Sequence, residues 1–252
     1  MQFALVNNER AVPSVGLVGA CPACGSVMIP KCGNQRVHHW AHRGERSCDS
    51  WWERETEWHR GWKGKFPTHW QEVIRHDDAS GEKHIADVCT EHGLTVEFQH
   101  SPLKPGERMA REKFYGSVTW VVDGSRLKRD LPRFLKGISS SRPVSKNGPF
   151  ITSFPREMFP DSWVDCAVPV FFDFDHAVTP SDEAVWVTRP LWCLLPGRVR
   201  GRAVVLKLSR EAFVSGTLKG QQLQTQEIME NAERLVVAEL MREHQSRRVS
   251  RF

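Results

Sequence analysis

The sequence lacks the features that would place the chain in a membrane or outside the cell. No apolar run approaches the ~18–20 residues that a membrane-spanning helix requires. The first ten residues contain no basic stretch followed by an apolar core, so no secretory signal is visible. No internal repeat is present either. We therefore expect a cytoplasmic protein without a membrane partner.

The excess of positive over negative charge in the sequence is also small. The 252 residues include 35 Lys and Arg against 30 Asp and Glu, which gives a net charge of +5, and 40% of the residues are hydrophobic. This composition is that of a globular protein and excludes disordered, fibrous and collagen-like chains. The mild positive balance suits a polyanionic partner such as DNA, but net charge bears on association and not on the fold.

Seven cysteines are present, and without a secretory signal they indicate metal ligands rather than a disulfide framework. Four of them lie in residues 21–48, which we expect to be a loop-rich segment. It is so poor in aliphatic residues that a bound metal would contribute to its folding. Structural zinc takes four nitrogen or sulfur ligands, and the favoured set is Cys21, Cys24, His42 and Cys48. His39 is the alternate ligand. The competing interpretation is a group of buried thiols and imidazoles that hydrogen-bond one another.

Periodicity divides the chain into three parts. Residues 1–49 contain one or two strands and the zinc-binding segment, residues 50–124 form an α/β core, and residues 125–252 form a basic linker, additional strands and a C-terminal helix. The core is predicted to contain a helix over 50–65 capped by Asp49 or Ser50, strands over 70–75, 83–89 and 94–99, a helix over 105–115 and a strand over 117–122. The last part is predicted to contain strands over 168–174, 184–188 and 203–208 and a helix over 221–245.

Two acidic residues are predicted to face each other across the hairpin of residues 83–99. Glu91-His92-Gly93 has the pattern of a three-residue loop, which places Asp87 directly opposite Glu97. Opposed side chains have Cβ atoms about 4.5–5.5 Å apart, where like charges destabilise a sheet. A divalent cation would offset this repulsion, because hard cations take carboxylate oxygens. The other interpretation is a solvated acidic pair neutralised by Lys or Arg.

The first predicted helix carries a row of three polar residues. Glu55, His59 and Lys63 are spaced i, i+4 and i+8, so they share one stripe of a helix. An acid, an imidazole and an ammonium in this order can serve a metal, a water and a phosphate. The simpler interpretation is a salt-bridged helix surface.

Taken together, these features resemble the PD-(D/E)XK nuclease core, and more narrowly the nuclease-like domain of the competence protein CoiA family. The residues that carry the resemblance lie between about 21 and 124 and are His39-Trp-Ala-His42, Glu55-x-x-x-His59-x-x-x-Lys63, Ala86-Asp-Val88, Glu97-Phe-Gln-His-Ser101, Arg111-x-x-x-Tyr115 and Trp120. The resemblance implies an α/β (α+β) fold with a restriction-endonuclease-like core, Mg²⁺ or Mn²⁺ as the catalytic cofactor, Zn²⁺ as a structural one and DNA as the partner.

The resemblance also implies roles for individual residues. Asp87 and Glu97 would bind the Mg²⁺ or Mn²⁺, with Glu55 as a helper acid and metal ligand from the first helix. Gln99 stands where many such nucleases carry Lys, and an amide can only hydrogen-bond. A second metal, His59 or Lys63 would then have to stabilise the charge that grows on the phosphate.

The basic residues of the chain would either contact DNA or form solvated faces of the protein. Arg111 and Tyr115, one helical turn apart, would either touch the DNA backbone or brace the site. Arg126, Lys128 and Arg129 open a basic stretch that continues to Arg133 and Lys136.

The predicted function is a metal-dependent deoxyribonuclease acting in DNA uptake, in recombination or in defence against foreign DNA, alone or with a protein partner. The alternative is a catalytically inactive zinc-containing module that binds nucleic acid or protein. The oligomeric state stays open, a homodimer included.

Overall fold

The computed structural model describes residues 1–44, 48–78, 80–145, 148–174 and 190–249. The chain divides into two compact units. Unit 1 comprises Met1–Pro102 and Glu107–Val118, and unit 2 comprises Leu103–Gly106 and Thr119–Phe252. Within the described ranges no helix is both long and apolar enough to cross a bilayer. The strand predicted over 184–188 lies outside the described residues.

Unit 1 begins with a five-stranded antiparallel sheet in the order β2-β1-β3-β4-β5. Its strands are β1 (Ala4–Val6), β2 (Glu9–Ala11), β3 (Gly19–Ala20), β4 (Val27–Lys31) and β5 (His39–His42). The prediction of a loop-rich segment over 21–48 is wrong for β4 and β5. The core of this small sheet contains two large residues, Met28 and Trp40, which pack against Ala4 and Cys21. The sheet therefore needs few aliphatic side chains to form a core.

The second part of the chain follows the predicted order of helix, three strands, helix and strand, which confirms the element sequence. The elements are α1 (Glu57–Lys63), a 3-10 helix (Thr68–Trp70), β6 (Gln71–His76), β7 (Lys83–Cys89), β8 (Thr95–Gln99), α2 (Pro105–Tyr115) and β9 (Val118–Asp123). Strand β7 pairs antiparallel with both β6 and β8. Of the polar residues singled out above, these three strands and α1 carry His59, Lys63, Asp87, Glu97 and Gln99.

Helix α1 is shorter than the predicted helix over 50–65. Thr56 caps it by accepting a hydrogen bond from the His59 N–H at 3.3 Å. The predicted cap, Asp49, instead accepts the N–H of Trp51 at 3.0 Å and that of Ile85 in β7 at 3.2 Å. Residues 50–56 are therefore not helical, and Glu55 precedes the helix stripe that it was predicted to share.

Unit 2 contains six strands in the order β10-β11-β14-β13-β12-β9. After β9 come α3 (Asp130–Ser140), β10 (Arg142–Pro143), β11 (Phe150–Thr152), α4 (Pro155–Met158), α5 (Asp161–Val164), β12 (Val170–Asp173), β13 (Pro190–Leu194), β14 (Ala203–Ser209), α6 (Arg210–Leu218) and α7 (Thr225–Val249). Strands β9 and β12 are parallel, and the other pairs are antiparallel. The predictions of β12, β14 and α7 are confirmed to within a few residues.

The basic stretch after β9 is not a linker throughout, which corrects the prediction for residues 125–150. Helix α3 occupies much of it, and Pro132 lies in the first turn, where a missing N–H costs nothing. Phe134 is fully buried, with its ring centroid 4.3 Å from that of Phe174 and 5.6 Å from that of Phe159. The interspersed Arg and Lys residues concealed this apolar face in the sequence.

Helices α3 and α4 approach each other closely at Gly137. A Cβ atom at this position would lie 2.1 Å from Met158 Cγ, and Met158 is buried. We expect Gly137→Ala to lower the free energy of unfolding by about 1–3 kcal/mol through overpacking, even though Ala is the better helix former. Thermal unfolding checks this, with Gly106→Ala in α2 as the control because its Cβ would meet nothing within 4 Å. Equal melting temperatures for the two variants would contradict the packing described.

Candidate zinc cluster and acidic pocket

The four favoured zinc ligands converge in unit 1. The ligand atoms of Cys21, Cys24, His42 and Cys48 all lie within 4.8 Å of one another. The Sγ atoms of Cys21 and Cys48 are 3.9 Å apart, and His42 Nε2 lies 3.4 Å from Cys24 Sγ and 3.6 Å from Cys48 Sγ. Among the described residues, this is the one group of three or more Cys, His, Asp or Glu side chains that meets so closely.

Local backbone geometry explains this convergence. A tight turn joins Cys21 to β4, with the Gly25 N–H donating to the Cys21 carbonyl and the Cys21 N–H to that of Ser26, both at 2.8 Å. Gly25 has φ +73°, which glycine adopts without strain. His42 ends β5 and faces this turn. The alternate ligand, His39, places Nδ1 2.9 Å from the Val37 carbonyl oxygen instead.

The donor set fits a structural zinc ion. Burial, with the neighbouring Cys21 sulfur, raises the pKa of Cys48 to about 12. Although burial opposes it, hydrogen bonds with Ser26 and His42 lower the pKa of Cys24 to about 6. Three thiols in contact cannot all ionise unless a cation compensates them, and three thiolates with one imidazole form a known zinc ligand set. The cluster could therefore hold Zn²⁺.

The acidic pair forms as predicted. Strands β7 and β8 pair Val88 with Val96 and Cys89 with Thr95, so the next position on each strand sets Asp87 opposite Glu97. Here the carboxylates bind the backbone: the Asp87 N–H donates to Glu97 Oε1 at 3.2 Å, and the Phe98 N–H donates to Asp87 Oδ2 at 3.0 Å. Each acid is thus held on the strand opposite its own.

The two acids differ in their access to solvent. The Asp87 side chain is 25% exposed and that of Glu97 is 6% exposed. Burial and the charge of Asp87 raise the pKa of Glu97 to about 8, and burial also raises the pKa of Asp87. The pair adjoins a cavity of about 60 Å³, which has room for a few water molecules. In the absence of a bound metal ion, these shifts favour a proton on the pair.

A buried ammonium lies beside the pair. Lys63 Nζ lies 2.8 Å from Glu55 Oε1, 2.9 Å from Glu72 Oε1 and 4.0 Å from Asp87 Oδ1. Its side chain is 3% exposed. Although burial lowers it, the charges of Glu72, Glu55 and Asp87 raise the pKa of Lys63 above its ordinary value. Lys63 therefore stays charged and neutralises carboxylates from three parts of the chain.

Glu55 is engaged by cations and does not complete a three-acid metal set. In addition to Lys63, Arg60 Nε donates to Oε1 at 2.9 Å and Arg60 Nη2 to Oε2 at 3.0 Å. Although burial opposes it, Lys63 and Arg60 lower the pKa of Glu55 to about 2. Among the described residues, Glu55, Asp87 and Glu97 do not form a group of three potential metal ligands. The structure thus leaves Asp87 and Glu97 as the pair open to a metal.

His59 and Gln99 both contact Glu53, an acid that sequence reasoning did not select for the site. His59 Nε2 lies 2.8 Å from Glu53 Oε1, and Gln99 Nε2 donates to Glu53 Oε2 at 2.5 Å. The N–H groups of His100 and Ser101 donate to the same carboxylate. Glu53 was missed because it was placed inside the predicted helix, where it would point away from β8.

Glu72 is a second acid that sequence reasoning missed. The β6–β7 register pairs Gln71 with Val88 and Val73 with Ala86, so Glu72 lies level with Asp87. Its φ of +48° is rare for a residue with a side chain and marks a constrained position. The β6–β7 connection is too long to reveal this register from the sequence.

Arg111 and Tyr115 brace the pocket from α2. Arg111 Nη2 donates to the Trp51 carbonyl at 2.8 Å, and Nη1 lies 3.5 Å from Glu97 Oε2. Tyr115 hydrogen-bonds with the same carboxylate, and both residues are 5% exposed. These contacts favour the bracing interpretation over contact with the DNA backbone.

Three basic residues considered for DNA contact lie in unit 2, in the turn before α3: Arg126, Lys128 and Arg129. Lys128 and Arg129 are exposed, and Arg126 is half-buried.

We expect the purified protein to contain one zinc ion per chain. Cys21→Ser should abolish the zinc and strongly destabilise residues 20–50, because the metal contributes to folding. Cys32→Ser is the matched control, since Cys32 lies in the same segment outside the cluster. Native mass spectrometry and thermal unfolding measure both effects. Zinc retention by Cys21→Ser, or its loss from Cys32→Ser, would contradict the assignment.

The ion pairs of Glu55 predict a defined pH dependence. A folded-state pKa of about 2, below the ordinary value of 4.5, stabilises the protein above about pH 4.5, and this contribution is lost as the pH falls toward 2. At about 1.4 kcal/mol per pKa unit, Glu55→Gln should cost a few kcal/mol at pH 6 and much less at pH 3. Urea unfolding at both pH values tests this, with Glu57→Gln at the start of α1 as the control. Equal losses at the two pH values would contradict the ion pairing.

Comparison with known proteins supports the first part of this site. Residues 20–50, which contain all four ligands of the cluster, match the sequence model of the family described as Competence protein CoiA, N-terminal domain. No curated protein and no solved structure matches the chain. The zinc-cluster segment is therefore similar to the N-terminal domain of competence protein CoiA.

Proposed function

We propose that this protein is a divalent-metal-dependent deoxyribonuclease of CoiA-like type, with a PD-(D/E)XK core over residues 50–124. The observation that carries the proposal is the opposition of Asp87 and Glu97 across β7 and β8, beside a cavity and a buried lysine. The order of elements from α1 to β9 and the similarity of residues 20–50 to CoiA support it. Its biological setting would be DNA uptake, recombination or defence against foreign DNA.

Asp87 and Glu97 would hold Mg²⁺ or Mn²⁺, because carboxylate oxygens suit these hard cations. When bound, such an ion would activate a water and neutralise charge on the scissile phosphate. The structural support is the repulsion between the acids, expressed in the raised pKa of Glu97. A dication would replace the proton that Glu97 otherwise needs.

The remaining residues of the pocket orient this pair. Arg111 and Tyr115 hold Glu97 from α2, and Lys63 lies next to Asp87. Glu53 ties His59, Gln99 and the start of the loop after β8 together. Because the Gln99 amide is committed to Glu53, Lys63 is the cation best placed to compensate charge near Asp87.

One observation favours the second candidate function, a zinc-containing nucleic-acid-binding module without activity. Position 99 carries an amide, and Lys63 is already shared by Glu55 and Glu72. A site with no uncommitted cation provides less stabilisation for a phosphorane-like transition state. Metal-dependent cleavage separates the two candidates.

We expect the wild-type protein to cleave DNA with Mg²⁺ or Mn²⁺, and Asp87→Asn and Glu97→Gln to lower the rate at least a hundredfold. Linear, circular, single-stranded and branched DNA should be compared. Isothermal titration with Mn²⁺ should show one tight site in the wild type that both variants lose. Circular dichroism and zinc content should stay unchanged, since neither residue contacts the zinc cluster.

Glu91→Gln is the matched control for these variants. Glu91 lies in the loop of the same hairpin and its side chain is 65% exposed. The substitution therefore removes one carboxylate without touching the pocket. If wild-type protein binds no Mn²⁺ and cuts no substrate, the nuclease proposal fails and the binding module takes its place. Cleavage by folded Asp87→Asn at the wild-type rate would also overturn the assignment of the acidic pair.

A further inference from the structure

Unit 2 contains a large cavity that the acidic pocket does not involve. Its volume is about 980 Å³, and its lining includes residues of α3, of the segment around β11 and of the end of α4. The close approach of Gly137 to Met158 forms part of the lining. The Ser141 hydroxyl donates to the Gly137 carbonyl at 2.8 Å. The packing between α3 and α4 therefore shapes the cavity before any ligand arrives.

Within the part of the chain that the structure describes, the lining has more positive than negative side chains. Arg133, Lys136 and Arg202 line the cavity, against Glu157 as an acidic residue. Arg133 pairs with Asp130 at 3.2 Å. Among the described residues, Lys136 and Arg202 have no acidic partner within ion-pairing distance. Two uncompensated cations at one cavity attract an anionic ligand.

An aromatic ring stands at the same cavity. Phe154 lines it and is 65% exposed, although a phenyl ring is normally buried. The Phe154 N–H donates to Thr152 Oγ1 at 3.2 Å, which fixes the loop that presents the ring. Ser140 and Ser141 also line the cavity, and their hydroxyl groups donate to the carbonyls of Lys136 and Gly137. Cations and a stacking surface thus meet in one place.

We propose that this cavity, an open groove on unit 2, binds single-stranded DNA. Cations that meet the phosphates, together with an aromatic ring on which a base stacks, are the two requirements of single-strand binding. The bases of a duplex are already stacked on one another, so Phe154 would have no face to engage. The choice of DNA as the polyanion rests on the proposed function. Binding at the groove does not itself depend on cleavage.

Fluorescence anisotropy with a labelled oligothymidylate tests the groove. The full chain carrying Asp87→Asn is used without added divalent metal, so that binding is measured apart from cleavage. We expect Lys136→Ala to weaken binding and to reduce the slope of log K against log salt by about one. Phe154→Ala should weaken binding roughly 5- to 100-fold with little change in that slope.

Two exposed residues of unit 2 provide matched controls. Lys219→Ala removes a lysine at the end of α6, and Leu135→Ala removes an apolar side chain that is 52% exposed on α3; both should bind as the parent does. Equal binding of blunt duplex, with no effect of Phe154→Ala, would overturn the single-strand proposal in favour of a phosphate site. Parent-like binding by both test variants would overturn the groove altogether. If cleavage fails but the variants lose single-strand binding, the groove stands and the nuclease proposal falls.

Discussion

The acidic pocket depends on one buried ammonium. Lys63 contacts Glu55 from the segment before α1 and Glu72 from β6, and it approaches Asp87 on β7. Burying these carboxylates without a cation would cost several kcal/mol each. The same charges that keep Lys63 protonated also bind the three chain segments together. Removing the lysine would therefore disturb the position of the acids as well as the local charge.

The zinc cluster and the acidic pocket are joined by the residues that follow Cys48. Asp49 accepts the Ile85 N–H at 3.2 Å and lies 2.9 Å from His84 Nδ1, so it is tied to β7 two residues before Asp87. The Trp51 carbonyl accepts a hydrogen bond from Arg111, which in turn contacts Glu97. A zinc ion held by Cys48 and its neighbours would thus also fix the starting point of both connections.

The parts of this architecture governed by local pattern could be predicted from the sequence. The loop Glu91-His92-Gly93 sets the β7–β8 register, and with it the opposition of Asp87 and Glu97, because a short hairpin leaves little freedom. The four favoured zinc ligands could likewise be predicted, from the spacing of the Cys and His residues along the chain. Glu72 could not be found, since a six-residue connection before β7 leaves its register undetermined. The start of α1 was misplaced because Asp49 and Thr56 are both good caps, and only the contact of Asp49 with β7 decides between them.

The balance of charge explains what Gln99 does to the site. Lys63, Arg60, Arg111 and the N-terminal ammonium face the carboxylates of Glu55, Glu72, Asp87 and Glu97. Burial and the charge of Asp87 raise the pKa of Glu97 although Arg111 lowers it. A lysine at position 99 would add a positive charge at this pocket and reduce its attraction for a divalent ion. The amide instead holds Glu53 in place and leaves the negative charge at the cavity, which favours metal binding at the expense of a positive group for the phosphate.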